Sequence, residues 1–334
     1  MRMRKAQPTN AIIAVTLACN ARCKMCDIWR IKVDNEVKPS FYERLPSGLR
    51  DINITGGEPF LREDLPEVIE VIYNLGNFPR IVISTNGLLT KRIERSIKRI
   101  IKVDPKIAVR ISLDGIGKEH DEIRGIPGAF TKGRESLRIL REKGVKDLGI
   151  ALTVMDGNVP QVSKVYDLAN DWGVEFSIAV VTSSPIYFGE KEGLKPRDDE
   201  TLRNGFNYLV RSELRHWTPK RLSRAYFDYA LWNYFHTQKR PLRCDAGQGF
   251  CYLNPCGNVY GCEVLDFRLG NLKEHSFETI WYSKRASEFR HLASDCHKCW
   301  MVCTAKTAIR KSWYKPIFWL IKNKARAHMG SPIL

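Results

Sequence analysis

Residues 10–26 read NAIIAVTLACNARCKMC, an apolar run followed at once by three cysteines in the spacing C-x3-C-x2-C. The run over residues 10–18 is short, rich in β-branched residues and preceded by turn-forming residues, which predicts a buried β-strand. The cysteines then lie in the loop after this strand, where three thiolates can bind one metal ion or cluster. Leu17-Ala18-Cys19 also resembles a lipoprotein processing site, but Thr16 interrupts an apolar run of only eight residues, which favours the strand.

The alternation of strand and turn continues along the chain. Five further apolar, β-branched runs each precede a polar or glycine-containing turn, and helical patterns lie between them. This βα alternation predicts an α/β fold with a parallel sheet, either an open sheet or a partial barrel of six βα units. In both architectures the loops after the strands carry the function. The runs end at Thr55, Thr85, Leu113, Val154 and Val181, and the helical patterns cover residues 64–77, 88–103, 130–143 and 159–172. The candidate helix N-caps are Asp64 and Thr131, and the candidate helix stops are Gly76, Gly144 and Gly173.

The composition is that of a globular protein with an excess of basic residues. Hydrophobic residues make up 43% of the 334 residues, which excludes a largely disordered chain, and no apolar stretch approaches the ~20 residues of a membrane span. Lys and Arg outnumber Asp and Glu by 54 to 37, and the net charge of +17 favours an anionic partner. The ten cysteines cluster towards the two ends of the chain, which suggests metal binding more than disulfide bonding.

The first cysteine cluster indicates a metal site with an open position. A structural zinc site usually has four ligands, and no fourth cysteine or histidine lies in this loop. Three ligands on a cubane cluster leave one iron open for chemistry. The motif over residues 19–26 resembles the signature of the radical SAM superfamily, in which Cys19, Cys23 and Cys26 would hold a [4Fe–4S] cluster whose fourth iron binds S-adenosylmethionine (SAM). Met25 stands where that family usually has an aromatic residue, and Trp29 is a candidate to cover the site.

The loops after the next strands resemble the same superfamily in the same order. Gly56-Gly57-Glu58-Pro59 resembles its GGEP motif, which implies that the glycines let the backbone approach the ligand and that Glu58 accepts a hydrogen bond from the SAM amino group. Arg124 resembles the arginine that pairs with the SAM carboxylate. The alternatives are a helix-capping role for Glu58 and a solvated loop charge for Arg124. The remaining candidate SAM-binding residues are Ser84, Asn86, Ser112 and Asp114, and residues 151–154 would contact the adenine.

The second cysteine cluster, with its Asn-Pro-Cys-Gly-Asn and Gly-Asn-Leu segments, resembles the start of a SPASM or twitch module. Such modules carry auxiliary [4Fe–4S] clusters, and the cysteine count here fits one. The alternative is a zinc ribbon, although the gap between Cys244 and Cys262 is long for a zinc knuckle. The candidate ligands are Cys244, Cys262, Cys296 and Cys299, with Cys303 as an alternative ligand and Cys251 and Cys256 as weaker candidates.

We therefore predict a partial (β/α)6 TIM-like barrel with a small C-terminal cysteine-rich cluster-binding module. The helical pattern over residues 221–236 is rich in aromatic residues, for which core packing is favoured over substrate contact. The last segment interleaves basic and aromatic residues, and three alternatives are open for it: docking on the body, which is favoured, an anionic membrane surface, or nucleic acid. The segments are residues 1–215 (barrel), 216–243 (bridging helix), 244–305 (cluster module) and 306–334 (basic aromatic tail).

The resemblance implies an enzyme that cleaves SAM reductively to a 5′-deoxyadenosyl radical, which abstracts hydrogen from an unactivated carbon. From the charge and the tail we expect an anionic small-molecule, sugar or lipid-linked substrate. Maturation of a ribosomal peptide and RNA modification are alternatives, and a zinc-bound nucleic-acid adaptor is an alternative of another class. An external one-electron donor such as flavodoxin or ferredoxin is expected. So is a cytoplasmic location, with peripheral contact at the inner membrane face if the tail binds lipid.

Overall fold

A parallel β-sheet forms the centre of the protein. The computed structural model describes residues 7–32, 35–197 and 200–334. Strands β1 to β6 follow one another in chain order across the sheet, each parallel to the next. The sheet does not close on itself, because β6 lies at one of its edges. The α/β class and the partial barrel are thus confirmed. The strands are Asn10–Thr16 (β1), Asp51–Gly56 (β2), Arg80–Thr85 (β3), Ala108–Ser112 (β4), Asp147–Val154 (β5) and Glu175–Val180 (β6).

Helices connect these strands as the sequence pattern predicts. The connections are Leu65–Tyr73 (α1), Thr90–Val103 (α2), Lys118–Arg124 (α3), Ala129–Glu142 (α4) and Gln161–Asp171 (α5), and Glu200–Arg215 (α6) and Pro219–Thr237 (α7) follow β6. Gly76, Gly144 and Gly173 all have positive φ just after a helix, as expected for helix stops. Thr131, in contrast, lies inside α4 and is not its N-cap. The Asp121 carboxylate accepts hydrogen bonds from the backbone N–H groups of Gly128 and Phe130, so the helix begins earlier.

The cysteine-rich module extends the same sheet. Strand Phe250–Leu253 (β7) pairs in parallel with β1, and Asn258–Tyr260 (β8) and Arg268–Asn271 (β9) continue the sheet in antiparallel fashion. Strand β1 therefore has a neighbour on each side, and all seven of its residues are buried. The predicted boundary at residue 244 falls within one continuous sheet. The module ends in Phe277–Trp281 (α8) and Lys284–Ser294 (α9), and Val302–Lys311 (α10) and Tyr314–His328 (α11) complete the described chain.

A network of ion pairs spans the amino ends of the strands. Asp51, Arg80, Asp147 and Glu175 are the first residues of β2, β3, β5 and β6. The Arg80 guanidinium lies 2.8 Å from the Asp147 carboxylate, and Lys220 of α7 lies 3.0 Å from that of Glu175. We call this network the charge belt. It comprises Asp51, Arg80, Arg110, Asp147, Glu175, Lys220, Arg224 and Lys306.

Among the described residues, no helix combines the length and apolar character needed to cross a membrane.

Candidate active site

The three cysteines of the first cluster line a cavity of about 590 Å³ inside the barrel. They lie in the loop after β1, as predicted, and burial raises the pKa of the Cys19 and Cys26 thiols to about 11 and about 12. The loop is fixed by backbone hydrogen bonds to the end of α3, from Arg22 N to Arg124 O (2.9 Å) and from Lys24 N to Ile123 O (2.9 Å). A donor set of three thiols in a single loop suits a cubane cluster. In the part of the chain that the structure describes, no three Cys, His or acidic side chains converge closely enough to hold a single metal ion.

The glycine pair after β2 packs against the end of β1. A Cβ on Gly56 would lie 2.0 Å from the Thr16 carbonyl oxygen, and a Cβ on Gly57 would lie 2.1 Å from that of Ala18. The N–H groups of Gly57 and Glu58 donate to these same two oxygens, each at 2.8 Å. The sequence predicts that these glycines approach a ligand, whereas the approach that the structure shows is to the backbone that leads into the cysteine loop.

The Glu58 carboxylate is buried and hydrogen-bonded within the protein. It accepts from Phe60 N (3.1 Å), from Thr85 Oγ1 (2.8 Å) and from Asn86 N (2.7 Å). Burial nevertheless raises its pKa to about 7. Glu58 thus joins the loop after β2 to the loop after β3, and its bond to Phe60 N is the capping role weighed as the alternative. Asn86 in turn donates to the Oδ1 of Asn20, 2.8 Å away in the cysteine loop, and its Nδ2 lies 3.9 Å from the Cys19 sulfur.

Arg124 is buried beside the cysteine loop, so the solvated alternative for this residue is wrong. Its Nη1 lies 3.4 Å from the Cys23 sulfur and its Nη2 lies 2.6 Å from Oδ2 of Asp114. Asp114 is itself fully buried, and its Oδ1 accepts from Thr153 N at 2.9 Å. Asp114 therefore positions Arg124, and among the described residues no group accepts from Arg124 Nε. His120, to which the sequence assigns no chemistry, accepts from Asp114 N at 3.0 Å through Nδ1.

Other sequence candidates lie in the same cavity. Ser84 donates to Asn53 Oδ1 (3.0 Å), and Ser112 and residues 151–153 also line the wall. Trp29, predicted to cover the site, lines the cavity too, and its ring lies between the guanidinium groups of Arg22 (4.8 Å) and Arg30 (4.7 Å). Asn53 is a site residue that sequence reasoning missed, although its position in β2 between buried Ile52 and Ile54 indicates that it faces the barrel interior.

Most of the candidate ligands of the second cluster are buried. Cys244, Cys262 and Cys299 are buried and Cys296 is half-buried. Leu265 N donates to the Cys262 sulfur at 3.4 Å, and Arg240 Nη1 lies 3.8 Å from the Cys299 sulfur. Such donors stabilise thiolate ligands.

The other cysteines of this region differ from these four. Cys303 donates from its thiol to Glu263 Oε1 at 2.7 Å, and both residues line the barrel cavity. Cys251 lies in β7, and burial raises the pKa of its thiol to about 12. Cys256 lies in the turn between β7 and β8.

One face of α7 lines the cavity through Lys220, Arg224, Phe227 and Asp228. The prediction of core packing holds for Phe227, whose ring stacks on Trp300 with centroids 6.3 Å apart. Sequence reasoning missed Asp228, which is 1% exposed and whose two carboxylate oxygens find no hydrogen-bond partner among the described residues. Burial raises the pKa of Asp228 well above its usual value. The spacing of Lys220, Arg224 and Asp228 on one helical face is the signal that could have found it.

Two family models match the chain. The Radical SAM superfamily model matches residues 13–169, and the SPASM model, an iron-sulfur cluster-binding domain, matches residues 244–300.

Individual relatives cover most of the chain. An AdoMet-dependent heme synthase of Methanosarcina barkeri is 27% identical over 300 residues, which are 83% of this chain and 82% of that protein. The sporulation killing factor maturation protein SkfB of Bacillus subtilis is 26% identical over 298 residues, 87% of this chain and 69% of that protein. The crystal structure of Streptococcus suis SuiB bound to its precursor peptide SuiA has a TM-score of 0.62 at 17% identity, covering 90% of this chain and 71% of SuiB.

These matches favour the iron–sulfur interpretation of both cysteine clusters over zinc, and an enzyme over a non-catalytic adaptor. The SuiB likeness agrees with the fold described above. The chain therefore belongs to the radical SAM superfamily: it is a radical SAM enzyme that uses [4Fe–4S] clusters and S-adenosylmethionine, with a C-terminal SPASM iron–sulfur cluster-binding domain.

Proposed function

We propose that this enzyme modifies a peptide by removing hydrogen from an unactivated carbon of a residue held in the barrel cavity. The bound cofactors supply a 5′-deoxyadenosyl radical for this step, with an electron from an external one-electron donor. In this proposal Cys19, Cys23 and Cys26 hold the SAM-binding cluster. Arg124 has its Nε free to meet the SAM carboxylate, while Asp114 holds its Nη2 and its Nη1 lies at the Cys23 sulfur.

The second cluster is assigned to Cys244, Cys262, Cys296 and Cys299. Cys303 suits a ligand role less well, because its thiol is hydrogen-bonded to Glu263 and lines the cavity. Of the seven proposed ligands, Cys23, Cys244, Cys262 and Cys299 are buried. Limiting the access of water to the first cluster would protect a reactive radical from side reactions.

The pattern of paired and unpaired charges in the cavity carries the proposal. Each basic side chain that lines it has an acidic partner: the charge belt pairs Arg80, Arg110, Lys220, Arg224 and Lys306, and Asp114 pairs Arg124. Among the residues that line the cavity, the polar atoms without a described partner are both carboxyl oxygens of Asp228, Oε2 of Glu263, Arg124 Nε and Trp29 Nε1. Asp228 and Glu263 thus leave three carboxyl oxygens unpaired. Such oxygens need hydrogen-bond donors from a ligand, and peptide amides provide them.

This pattern argues against the anionic small-molecule, sugar or lipid-linked substrate expected from net charge. The net positive charge of the chain leaves no basic side chain unpaired among those that line the cavity. Two of the proteins reported above support a peptide, because SkfB is named as a maturation protein and the SuiB structure holds a precursor peptide. Peptide maturation, the alternative in the sequence analysis, thereby becomes our first choice.

A tetrapyrrole is the second candidate substrate. It is favoured by the relative from Methanosarcina barkeri, which is named as a heme synthase and is matched over 82% of its length.

The test follows the hydrogen atom. The enzyme, reconstituted without oxygen and reduced with dithionite, is mixed with SAM and with peptide pools that each carry one perdeuterated residue type. Mass spectrometry of the 5′-deoxyadenosine then shows which pool donated deuterium, and the Cys23→Ala variant serves as the inactive control. We expect transfer from one or two residue types. Transfer from a tetrapyrrole with deuterated side chains, and from no peptide pool, would instead support the second candidate.

A further inference from the structure

The C-terminal helix α11 is docked on the body of the protein by one face. Trp319 stacks on Tyr229 of α7 with ring centroids 4.6 Å apart, and Asn323 and Ala327 of the same face are buried. The side chain of Lys324 donates to backbone carbonyl groups at the end of α6. The expectation that the tail docks on the body of the protein therefore holds for this face of α11.

The opposite face of α11 is apolar and exposed. Tyr314, Ile317, Phe318 and Ile321 are 58%, 46%, 74% and 73% exposed. Their spacing of i, i+3, i+4 and i+7 places them in one stripe along the helix. None of the described residues covers this stripe. We call it the apolar stripe.

Aromatic side chains extend the exposed surface at both ends of α11. Trp313, 62% exposed, precedes the helix. At the other end Trp217 is 75% exposed, and its ring stacks on His328 and lies 3.9 Å from the ammonium group of Lys324. The apolar stripe spans eight of the 15 residues of α11, about 12 Å in its first half, and a tryptophan lies near each end of the helix.

Basic residues run beside the apolar stripe. Lys315, Lys322 and Arg326 are exposed and, by their spacing, lie along one side of it. No acidic residue follows Asp295 in the sequence. The surface that α11 presents is thus apolar along its ridge and positively charged along its flank.

We propose that α11 binds the surface of an anionic lipid bilayer, lying flat with the apolar stripe in the boundary between headgroups and acyl chains. Exposed apolar residues beside a basic flank suit this interface, because the acyl region takes up the first and anionic headgroups attract the second. Tryptophan prefers the same depth, which fits Trp217 and Trp313 at the two ends. A second copy of the chain fits less well, since two such flanks repel, and nucleic acid provides no apolar layer for Ile317, Phe318 and Ile321. The proposal is independent of the substrate.

The experiment is flotation of the full reconstituted protein with vesicles. We expect it to float with vesicles that contain phosphatidylglycerol, to float poorly with pure phosphatidylcholine, and to dissociate as salt is raised. The Phe318→Glu/Ile321→Glu double variant should lose affinity by about tenfold or more, because both side chains leave the acyl region. The matched control is Phe78→Glu, since Phe78 is 64% exposed but lies after α1, and it should bind like the wild type.

The same variants separate the rival occupants. Because Phe318 and Ile321 are exposed, the double variant should keep the melting temperature of the wild type, so that lost flotation is not lost folding. The proposal is overturned if the wild type does not float with anionic vesicles, or if the double variant floats equally well. It is also overturned if sedimentation shows that the apolar stripe dimerises the protein in the presence of vesicles.

Discussion

Arg124 and Asp114 form a buried ion pair directly behind the first cysteine cluster, with 2.6 Å between Nη2 and Oδ2. The same guanidinium reaches the Cys23 sulfur at 3.4 Å through Nη1, so it bridges the carboxylate and the thiol. Asp114 comes from the loop after β4 and Arg124 from the end of α3, and the cysteine follows β1. The ion pair therefore links three separate parts of the barrel edge at the candidate active site.

Removal of the Asp114 charge should destabilise the protein. In Asp114→Asn the Arg124 charge stays buried without its acidic partner, which costs about 3 kcal/mol of unfolding free energy. The measurement is urea unfolding without oxygen. Arg138→Gln is the control, because Arg138 pairs with Glu135 on an exposed helix surface and its loss should leave the unfolding free energy nearly unchanged. Equal effects of the two substitutions would contradict the role given to Asp114.

A methyl group on Gly57 should displace the cysteine loop. The added Cβ would lie 2.1 Å from the Ala18 carbonyl oxygen, one residue before Cys19. Moving this backbone group costs more free energy than moving the end of a flexible side chain. We expect Gly57→Ala to lose about four iron atoms per chain relative to the wild type, and to lose SAM cleavage. Gly193→Ala is the matched control, since a Cβ there meets nothing within 4 Å. Full iron content in Gly57→Ala would show that the loop does not depend on this approach.

The positions of the functional loops could be predicted from the sequence. The contacts of their side chains could be predicted only in part. The positions of Cys19 after β1, Glu58 after β2 and Arg124 in the connection after β4 follow from βα periodicity, because parallel strands end at the same sheet edge. Their partners depend on the folded structure: the carboxylate of Glu58 accepts from Thr85 and from backbone groups. The pairing of β7 with β1 joins segments far apart in the chain, and a strand of four residues carries little periodic signal.

His120 should make stability fall in acid. Burial lowers its pKa from 6.5 to about 3, so the folded protein keeps this imidazole neutral while the unfolded chain protonates it. Its contribution is therefore complete above pH 6.5 and is lost as the pH falls from 6.5 towards 3. Between pH 6.5 and 5.5 the wild type should lose about 1 kcal/mol more unfolding free energy than His120→Asn, whose side-chain oxygen can still accept from Asp114 N. Parallel pH profiles of the two proteins would refute this.

Cys299 and Cys303 should differ in their effect on iron content. Cys299→Ala removes a proposed ligand, so about four iron atoms per chain should be lost. Cys303→Ala removes only a hydrogen bond to Glu263 and should keep the iron of the wild type. Iron and sulfide analysis after anaerobic reconstitution distinguishes them. Loss of iron from Cys303→Ala alone would exchange the two roles and restore Cys303 as the alternative ligand.

Asp228 should contribute to substrate binding at a cost in stability. Its carboxyl group is buried in the cavity wall without a described hydrogen-bond partner, which is unfavourable in the free enzyme. Replacing it with an apolar residue in Asp228→Leu should therefore raise the unfolding free energy by about 1–3 kcal/mol. The same change should lower deuterium transfer from the active peptide pool about tenfold or more, because the substrate loses its hydrogen-bond acceptor.

Glu213→Gln provides the contrast that makes this prediction specific. Glu213 is as deeply buried as Asp228, but its carboxylate lies 2.9 Å from Arg221 and 3.2 Å from Arg224. Without the Glu213 charge, Arg221 loses its acidic partner among the described residues while Arg224 keeps Glu175, so Glu213→Gln should be destabilised by about 1–3 kcal/mol. Urea unfolding of both variants gives opposite signs if Asp228 is kept for the substrate. If Asp228→Leu is destabilised as Glu213→Gln is, then Asp228 serves the fold, and the unpaired carboxyl group no longer supports a peptide in the cavity.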